Sequence, residues 1–304
     1  MRSARVATEG HVPHTMSRMG DVLAGIHAVW EFDSDSVLIR YERGIRTPKL
    51  FQALGERRVP LAALEGVSLT EGRRGTVVLR LQPRAGADPL LEAAAGQLPE
   101  GLDPYRLVLP AERETLAEYY ADELKAGLTG SGPADRYLIE APEAPLRFKA
   151  YDGKASFDGT SVRFRWSWTG ASSAKWKAGD QRFAVADLGG VEWRSPEAFE
   201  GYLRLLPNDL AGAAPPVPPD QDAATVVFGL GYGPVHESLP FAAAVLAAVR
   251  TRGAVPAVPA APAAPRRDPA DIAERIRHLG ELHQAGLVTD EEFSAKKAEL
   301  LAEL

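Results

Sequence analysis

The chain has 304 residues, 45% of them hydrophobic and 25% charged, the composition of an ordinary soluble globular protein with room for two or three domains. Its net charge of −6 argues against a dedicated nucleic-acid binder, and the lack of cysteine excludes a disulfide framework, a thiol nucleophile and a cysteine-based zinc site. The longest apolar run, Leu239 to Val249, contains Pro240 and falls far short of the roughly 20 residues that span a bilayer. A cytoplasmic protein is expected, peripheral to a membrane at most.

Residues 1–19 are polar and aperiodic and read as a disordered lead-in, with Met19-Gly20 offering a second start. His11 and His14 lie in this segment without a third ligand nearby, so no metal site is expected there. The patterned chain then begins, and it occurs twice. The stretch from Trp30 to Tyr41 and the stretch from Ala155 to Trp166 share Phe-Asp, a polar turn, Ser-Val, a basic residue and an aromatic at an offset of 125 residues. Each reads as strand, turn, strand. Asp33 and Asp35 do not begin a calcium loop, because the fifth position is Val37 and the second copy places Asp158-Gly159-Thr160 in the same turn.

A loop from Gly44 to Gly55 loses one residue in the second copy, and the register then holds at an offset of 124. Arg57-Arg58-Val59-Pro60-Leu61 matches Gln181-Arg182-Phe183-Ala184-Val185, and Leu79-Arg80-Leu81 matches Leu203-Arg204-Leu205. Last strands are predicted at Tyr105–Leu109 and at Thr225–Phe228, each followed by a helix. Leu116, Tyr120 and Leu124 predict the apolar stripe of the first helix, and Phe241, Val245 and Val249 that of the second. The expected fold is mainly β, with two tandem repeats at 20–130 and 145–252. Each is a small barrel or sandwich whose open end is plugged by its C-terminal helix.

The segment 253–268 is rich in Pro and Ala and reads as a polyproline II spacer. Residues 269–304 then predict a helical hairpin. Ile272, Ile276, Leu279 and Leu282 share one face of its first helix, Gly286 suits a left-handed cap, and Thr289 with Glu292 forms a capping box. Phe293, Leu300, Leu301 and Leu304 line the second helix. A hairpin of some 36 residues is below the roughly 40 at which an isolated domain usually needs help to fold, so these apolar residues are expected to form an interface that makes a homo-oligomer.

The run Leu279-Gly280-Glu281-Leu282-His283-Gln284-Ala285-Gly286-Leu287-Val288-Thr289-Asp290-Glu291-Glu292-Phe293, with Lys296-Lys297-Ala298-Glu299-Leu300-Leu301, resembles the short C-terminal (SHOCT) hairpin of bacterial proteins. The repeats, on Phe32-Asp33, Gly66-Val67, Leu79-Arg80-Leu81 and above all Gly201-Tyr202-Leu203-Arg204-Leu205, resemble a bacterial family of uncharacterised tandem domains with a pleckstrin-homology-like fold. The first resemblance implies oligomerisation through the tail. The second implies the fold and no established activity.

Enzyme signatures are scarce. Gly229-Leu230-Gly231-Tyr232-Gly233-Pro234 has proline where a dinucleotide-binding turn needs its third glycine, and no alternation of strands and helices surrounds it. A flexible strand-to-helix turn is the better reading. No enzyme, cofactor or metal is therefore expected. The most suggestive polar site is Lys175-Trp176-Lys177, placed in the loop of the second repeat, with Arg57 and Arg58 in the first copy. Cations flanking an exposed aromatic suit an anionic ligand or a membrane interface. The competing reading packs Trp176 and leaves the lysines solvated. The expected function is a non-catalytic binding or scaffold protein that self-associates through its tail. A peripheral-membrane or anion-binding module is the alternative, and an unrecognised enzyme ranks last.

Overall fold

A computed structural model describes residues 21–198, 200–208, 217–229 and 231–253. The lead-in, the spacer and the expected hairpin, with Ile272, Ile276, Leu279, Leu282, Phe293, Leu300, Leu301 and Leu304, lie outside the described residues.

The first copy opens with β1 (Asp21–Ala24), β2 (Ala28–Phe32), β3 (Ser36–Tyr41) and β4 (Glu56–Pro60), an antiparallel meander in that order. The connection from β3 to β4, expected to be a plain loop, contains the short helix α1 (Lys49–Leu54). A single 3-10 turn leads into a second meander, β5 (Leu64–Glu71), β6 (Thr76–Pro83) and β7 (Arg106–Pro110). Helix α2 (Pro89–Ala94) fills the β6–β7 connection, and α3 (Glu114–Ala126) closes the copy. The second copy repeats the plan. It has β8 (Leu146–Lys149), β9 (Gly153–Phe157), β10 (Ser161–Trp166), α4 (Ser173–Ala178) and β11 (Gln181–Ala184). Then come β12 (Leu188–Arg194), β13 (Tyr202–Pro207), β14 (Thr225–Val227) and α5 (Val235–Gly253). The described chain is thus mainly β, in four open antiparallel sheets rather than closed barrels.

Alternation explains the strands: β2 and β9 bury every second residue, so one face of each sheet meets the core and the other meets solvent. The duplication extends to register. Leu79 pairs with Leu69 and Leu107 at the centre of one three-stranded sheet, and Leu203 pairs with Trp193 and Val226 at the centre of the other. Bulges fall at Leu64/Gly66 and at Leu188/Gly190, the same place in both copies. The two sheets of each copy are tied at one corner as well. Ile26 N–H donates to Val108 O at 2.8 Å, and Tyr151 N–H donates to Val227 O at 3.1 Å.

The closing helices differ. On α3 the buried face is Ala117, Tyr120, Ala121 and Leu124, and Tyr120 stacks on Phe32 with ring centroids 4.2 Å apart. Leu116, expected on that stripe, is 42% exposed. The small residues Ala117 and Ala121 let the helix approach its sheet around Tyr120, which turns Leu116 outward. Helix α5 packs on β8 and β12 of its own copy and also on α1 and α2 of the first. Phe241, Ala242 and Val245 are fully buried there. A helix enclosed on several sides needs an apolar surface all round, which accounts for its long apolar run. Arg250 near its end pairs with Glu92 at 3.0 Å and lies over the Tyr137 ring. Gln97 completes the junction, donating to Trp193 O at 2.9 Å and accepting from Ser195 N–H at 3.0 Å. Both copies belong to one compact unit.

Candidate functional site

The residues of Lys175-Trp176-Lys177 form α4, and they do not act together. Ser172 caps this helix, its hydroxyl accepting from Lys175 N–H. Successive side chains on a helix diverge by about 100°, so Lys175 turns inward while Trp176 and Lys177 stay outside. Lys175 is fully buried, bonding Asp152 Oδ2 at 2.5 Å and Thr225 O at 2.7 Å, with its ammonium 5.0 Å from the Trp166 ring centroid. Asp152 accepts in addition from Val227 N–H at 3.0 Å. Burial lowers the Lys175 pKa, which Asp152 only partly offsets, and burial raises the Asp152 pKa against the pull of Lys175. An ammonium with its charge and donors already satisfied inside the protein cannot hold an anion. The expectation that Lys175 binds one is corrected on that ground.

Arg57 is corrected for the same reason. It is buried, bonding Asp88 at 2.7 Å while Tyr105 donates to the other oxygen of the same carboxylate at 2.7 Å. Asp88 also caps α2, accepting from Leu90 and Leu91 N–H. Burial raises the Tyr105 pKa well above the ordinary phenol value, Arg57 opposing, so the phenol stays protonated and keeps donating. Arg58 lies at the surface but is engaged, donating to Asp33 and Ser36 at 2.7 and 2.8 Å. Arg182 makes the equivalent contact to Ser161 in the second copy. These arginines fasten strands to turns.

The exposed part of the expected site is aromatic. Trp176 is 49% exposed and meets Trp168, 62% exposed, edge to face with centroids 5.0 Å apart. Trp168 follows β10 in a turn pressed against the β8–β9 turn, since a Cβ on Gly170 would stand 2.2 Å from Tyr151 O. Tyr151 is itself exposed and packs edge to face on Tyr232, over whose ring Lys149 extends. Gly233 N–H donates to Lys149 O, holding the α5 entry turn against the same end. That turn is the glycine-rich segment of the sequence. Gly231 and Gly233 take positive φ, and Gly233 lies so close to the Phe228 ring that a Cβ would clash. Its job here is to bring the chain from β14 onto α5.

Sequence reasoning found Trp176 and Lys177 but missed Trp168, Tyr151, Tyr232 and Lys149. These come from the end of β8 and from three separate connections, and only the fold brings them together. One signal was available: Trp168 stands two residues beyond the aromatic position at which the β10 match ends, where a buried partner is no longer expected. A shallow groove of about 490 Å³ lies elsewhere, between α2 and β12, lined by Glu92, Gln97, Glu192, Trp193, Arg194 and Tyr202. Its polar atoms largely bond one another, as with Tyr202 to Glu192 at 2.6 Å.

Two segments, 30–125 and 155–246, match the family described as a domain of unknown function, DUF4429. They run from the second strand to the closing helix of each copy and together cover more than half the chain. The chain belongs to the DUF4429 family. Beyond its DUF4429 repeats, residues 274–301 match the short C-terminal domain, SHOCT. No curated protein matches the chain. Among the described residues, no helix of this DUF4429 protein is long and apolar enough to cross a membrane.

Proposed function

We propose that the protein is a non-catalytic binding scaffold whose repeats carry a docking surface and whose tail joins copies of the chain. The observation that carries the binding part is the Trp168–Trp176 pair, two large apolar rings held in contact with each other yet about half exposed. A monomer gains nothing from leaving that area wet, at roughly 25 cal/mol per Å² of apolar surface. The buried cations of both copies serve the fold, and this favours docking by apolar contact over coordination of a small anion. Four strands, three strands and a helix in each copy support a pleckstrin-homology-like reading of the repeats.

Self-association rests on the SHOCT match and on Ile276, Leu279, Leu282, Phe293, Leu300 and Leu301, more apolar residues than so short a segment is expected to bury alone. Light scattering on the full chain and on a chain ending at Val255 tests this. The full chain is expected to have a multiple of the monomer mass and the shortened one the monomer mass. Equal monomer masses at micromolar concentration would defeat the assembly claim.

A further inference from the structure

The outer edge of β12 presents backbone groups that the fold leaves unpaired. In its three-stranded sheet β12 is an outer strand, paired only with β13. Leu205 N–H donates to Ala224 O at 2.9 Å and Phe228 N–H to Gly201 O at 2.8 Å, so the odd-numbered residues of β13 bond β14. The even ones, Tyr202, Arg204 and Leu206, therefore bond their register partners Arg194, Glu192 and Gly190 on β12. Val191 and Trp193 are left with N–H and C=O turned away from the sheet. Gln97 meets part of that edge, its side-chain amide donating to Trp193 O at 2.9 Å and accepting from Ser195 N–H at 3.0 Å. The next groups along, Trp193 N–H, Val191 O and Val191 N–H, have no partner among the described residues. Trp193 is only 2% exposed, so its amide is withdrawn from water as well, a rare condition for a backbone donor.

These groups face the groove of about 490 Å³ between β12 and α2, a volume in the range of ligand sites. Ala93 and Ala95 stand in its far wall, and their small side chains leave the clearance a second backbone needs. The carboxylates of the groove are engaged, Glu92 with Arg250 and Glu192 with Tyr202. Small uncharged side chains therefore suit it. The order of donor, acceptor and donor along an extended strand is complementary to another extended backbone.

We propose that this edge takes an extended, uncharged segment of a partner protein as an added strand, bonding Trp193 N–H, Val191 O and Val191 N–H beyond the stretch that Gln97 covers. A second copy of β12 does not fit, because each β12 lies in the same recess and two recessed edges cannot meet. The surface uses no residue of the Trp168–Trp176 pair and goes beyond that reading. Main-chain bonds would supply the affinity and the groove walls the selectivity. Exposed edges are commonly blocked against such pairing, and here the block stops at Gln97.

The probe is a fluorophore-labelled heptapeptide, acetylated and amidated, of alternating valine and threonine with a lysine at each end for solubility. Anisotropy and amide hydrogen exchange on the full chain are the readouts. The wild type is expected to bind with a Kd below roughly 1 mM, and exchange at the Val191 and Trp193 amides is expected to slow when the peptide is bound. Val191→Pro removes an N–H that makes no ladder bond, at a place where an edge strand tolerates proline. It should keep the melting temperature and weaken binding about fivefold or more. The same peptide N-methylated at alternate amides cannot donate to Val191 O and should bind the wild type more weakly by a similar factor, a test that does not depend on how the variant folds. W168S/W176S should bind the peptide as the wild type does. Absence of binding at 1 mM, on the order of the weakest specific affinities, would overturn the proposal, as would equal affinity for the N-methylated peptide. A Val191 amide already protected in the free protein would overturn it too, because the chain or a second copy would then cover the edge.

Discussion

Lys175→Met isolates the buried ion pair of the second copy. Methionine fills similar space but leaves the buried Asp152 carboxylate without the ammonium at 2.5 Å, with backbone donors such as Val227 N–H in its place. Removing one partner of a buried pair costs about 3–5 kcal/mol, because the remaining charge is stranded. For a body of this size, 1 kcal/mol moves the melting temperature by about 2–4 °C, so a fall of roughly 6–20 °C is expected. The pH dependence carries a sign. The folded pKa of Asp152 is raised by burial, so its contribution is full below the unfolded value and lost as pH rises through the folded one. Without Lys175 that rise is larger. The variant should therefore lose least near pH 4, where Asp152 is protonated, and most at neutral pH. Adding Asp152→Asn keeps an oxygen for Val227 N–H and removes the charge, so the double variant should return to within about 1.5 kcal/mol of wild type. The first copy shows that an uncharged solution fits this fold: Phe51 stands where Lys175 does, stacked on Tyr41 with centroids 5.0 Å apart. Thermal melts between about pH 4 and 8 provide the assay. A Lys175→Met melting temperature within about 2 °C of wild type, or a double variant no better than the single, would refute the reasoning.

In the first copy, Tyr105→Phe removes the phenol that donates to Asp88 and should cost about 1.5–3 kcal/mol in urea denaturation, the range for a hydrogen bond to a charged group. Gln97→Ala breaks both bonds across the junction and should cost about 2 kcal/mol, with hydrogen exchange at the Ser195 amide accelerated; unchanged exchange there would show that Gln97 does not hold the copies together. At Asp158 burial pulls the pKa up, but the amides and hydroxyls of Thr160 and Ser161 outweigh it and hold the value at about 2. The stability it supplies is present above the unfolded value and lost as pH falls toward 2, so Asp158→Asn should flatten the acid limb of the stability curve relative to wild type.

The duplication was legible because strands impose a period of two and because register survives insertion only in loops. Phe32 with Phe157 and Leu79 with Leu203 therefore mark the same positions in the sequence as in the paired strands. The short helices α1 and α4 were not legible, since six residues show too little periodicity to separate helix from loop. That gap misplaced Lys175: read as part of a loop it looked as free as Trp176, whereas on a helix adjacent residues diverge. Arg57 misled for a related reason. Its carboxylate partner Asp88 lies 31 residues away, and nothing local announced the meeting. The role of α5 was half visible. Its apolar length signalled unusual burial, but its contact with the first copy depends on how the repeats pack, which no pattern within one repeat encodes.

The tryptophans allow the docking face to be observed without a label. Of five in the chain, Trp30, Trp166 and Trp193 are at most 9% exposed, so an added quencher reaches Trp168 and Trp176 first. Iodide quenching should be compared between the full chain and W168S/W176S. Strong quenching is predicted for wild type and little for W168S/W176S. Wild-type emission as insensitive to iodide as that of the double variant would contradict the account, because the pair would then be covered.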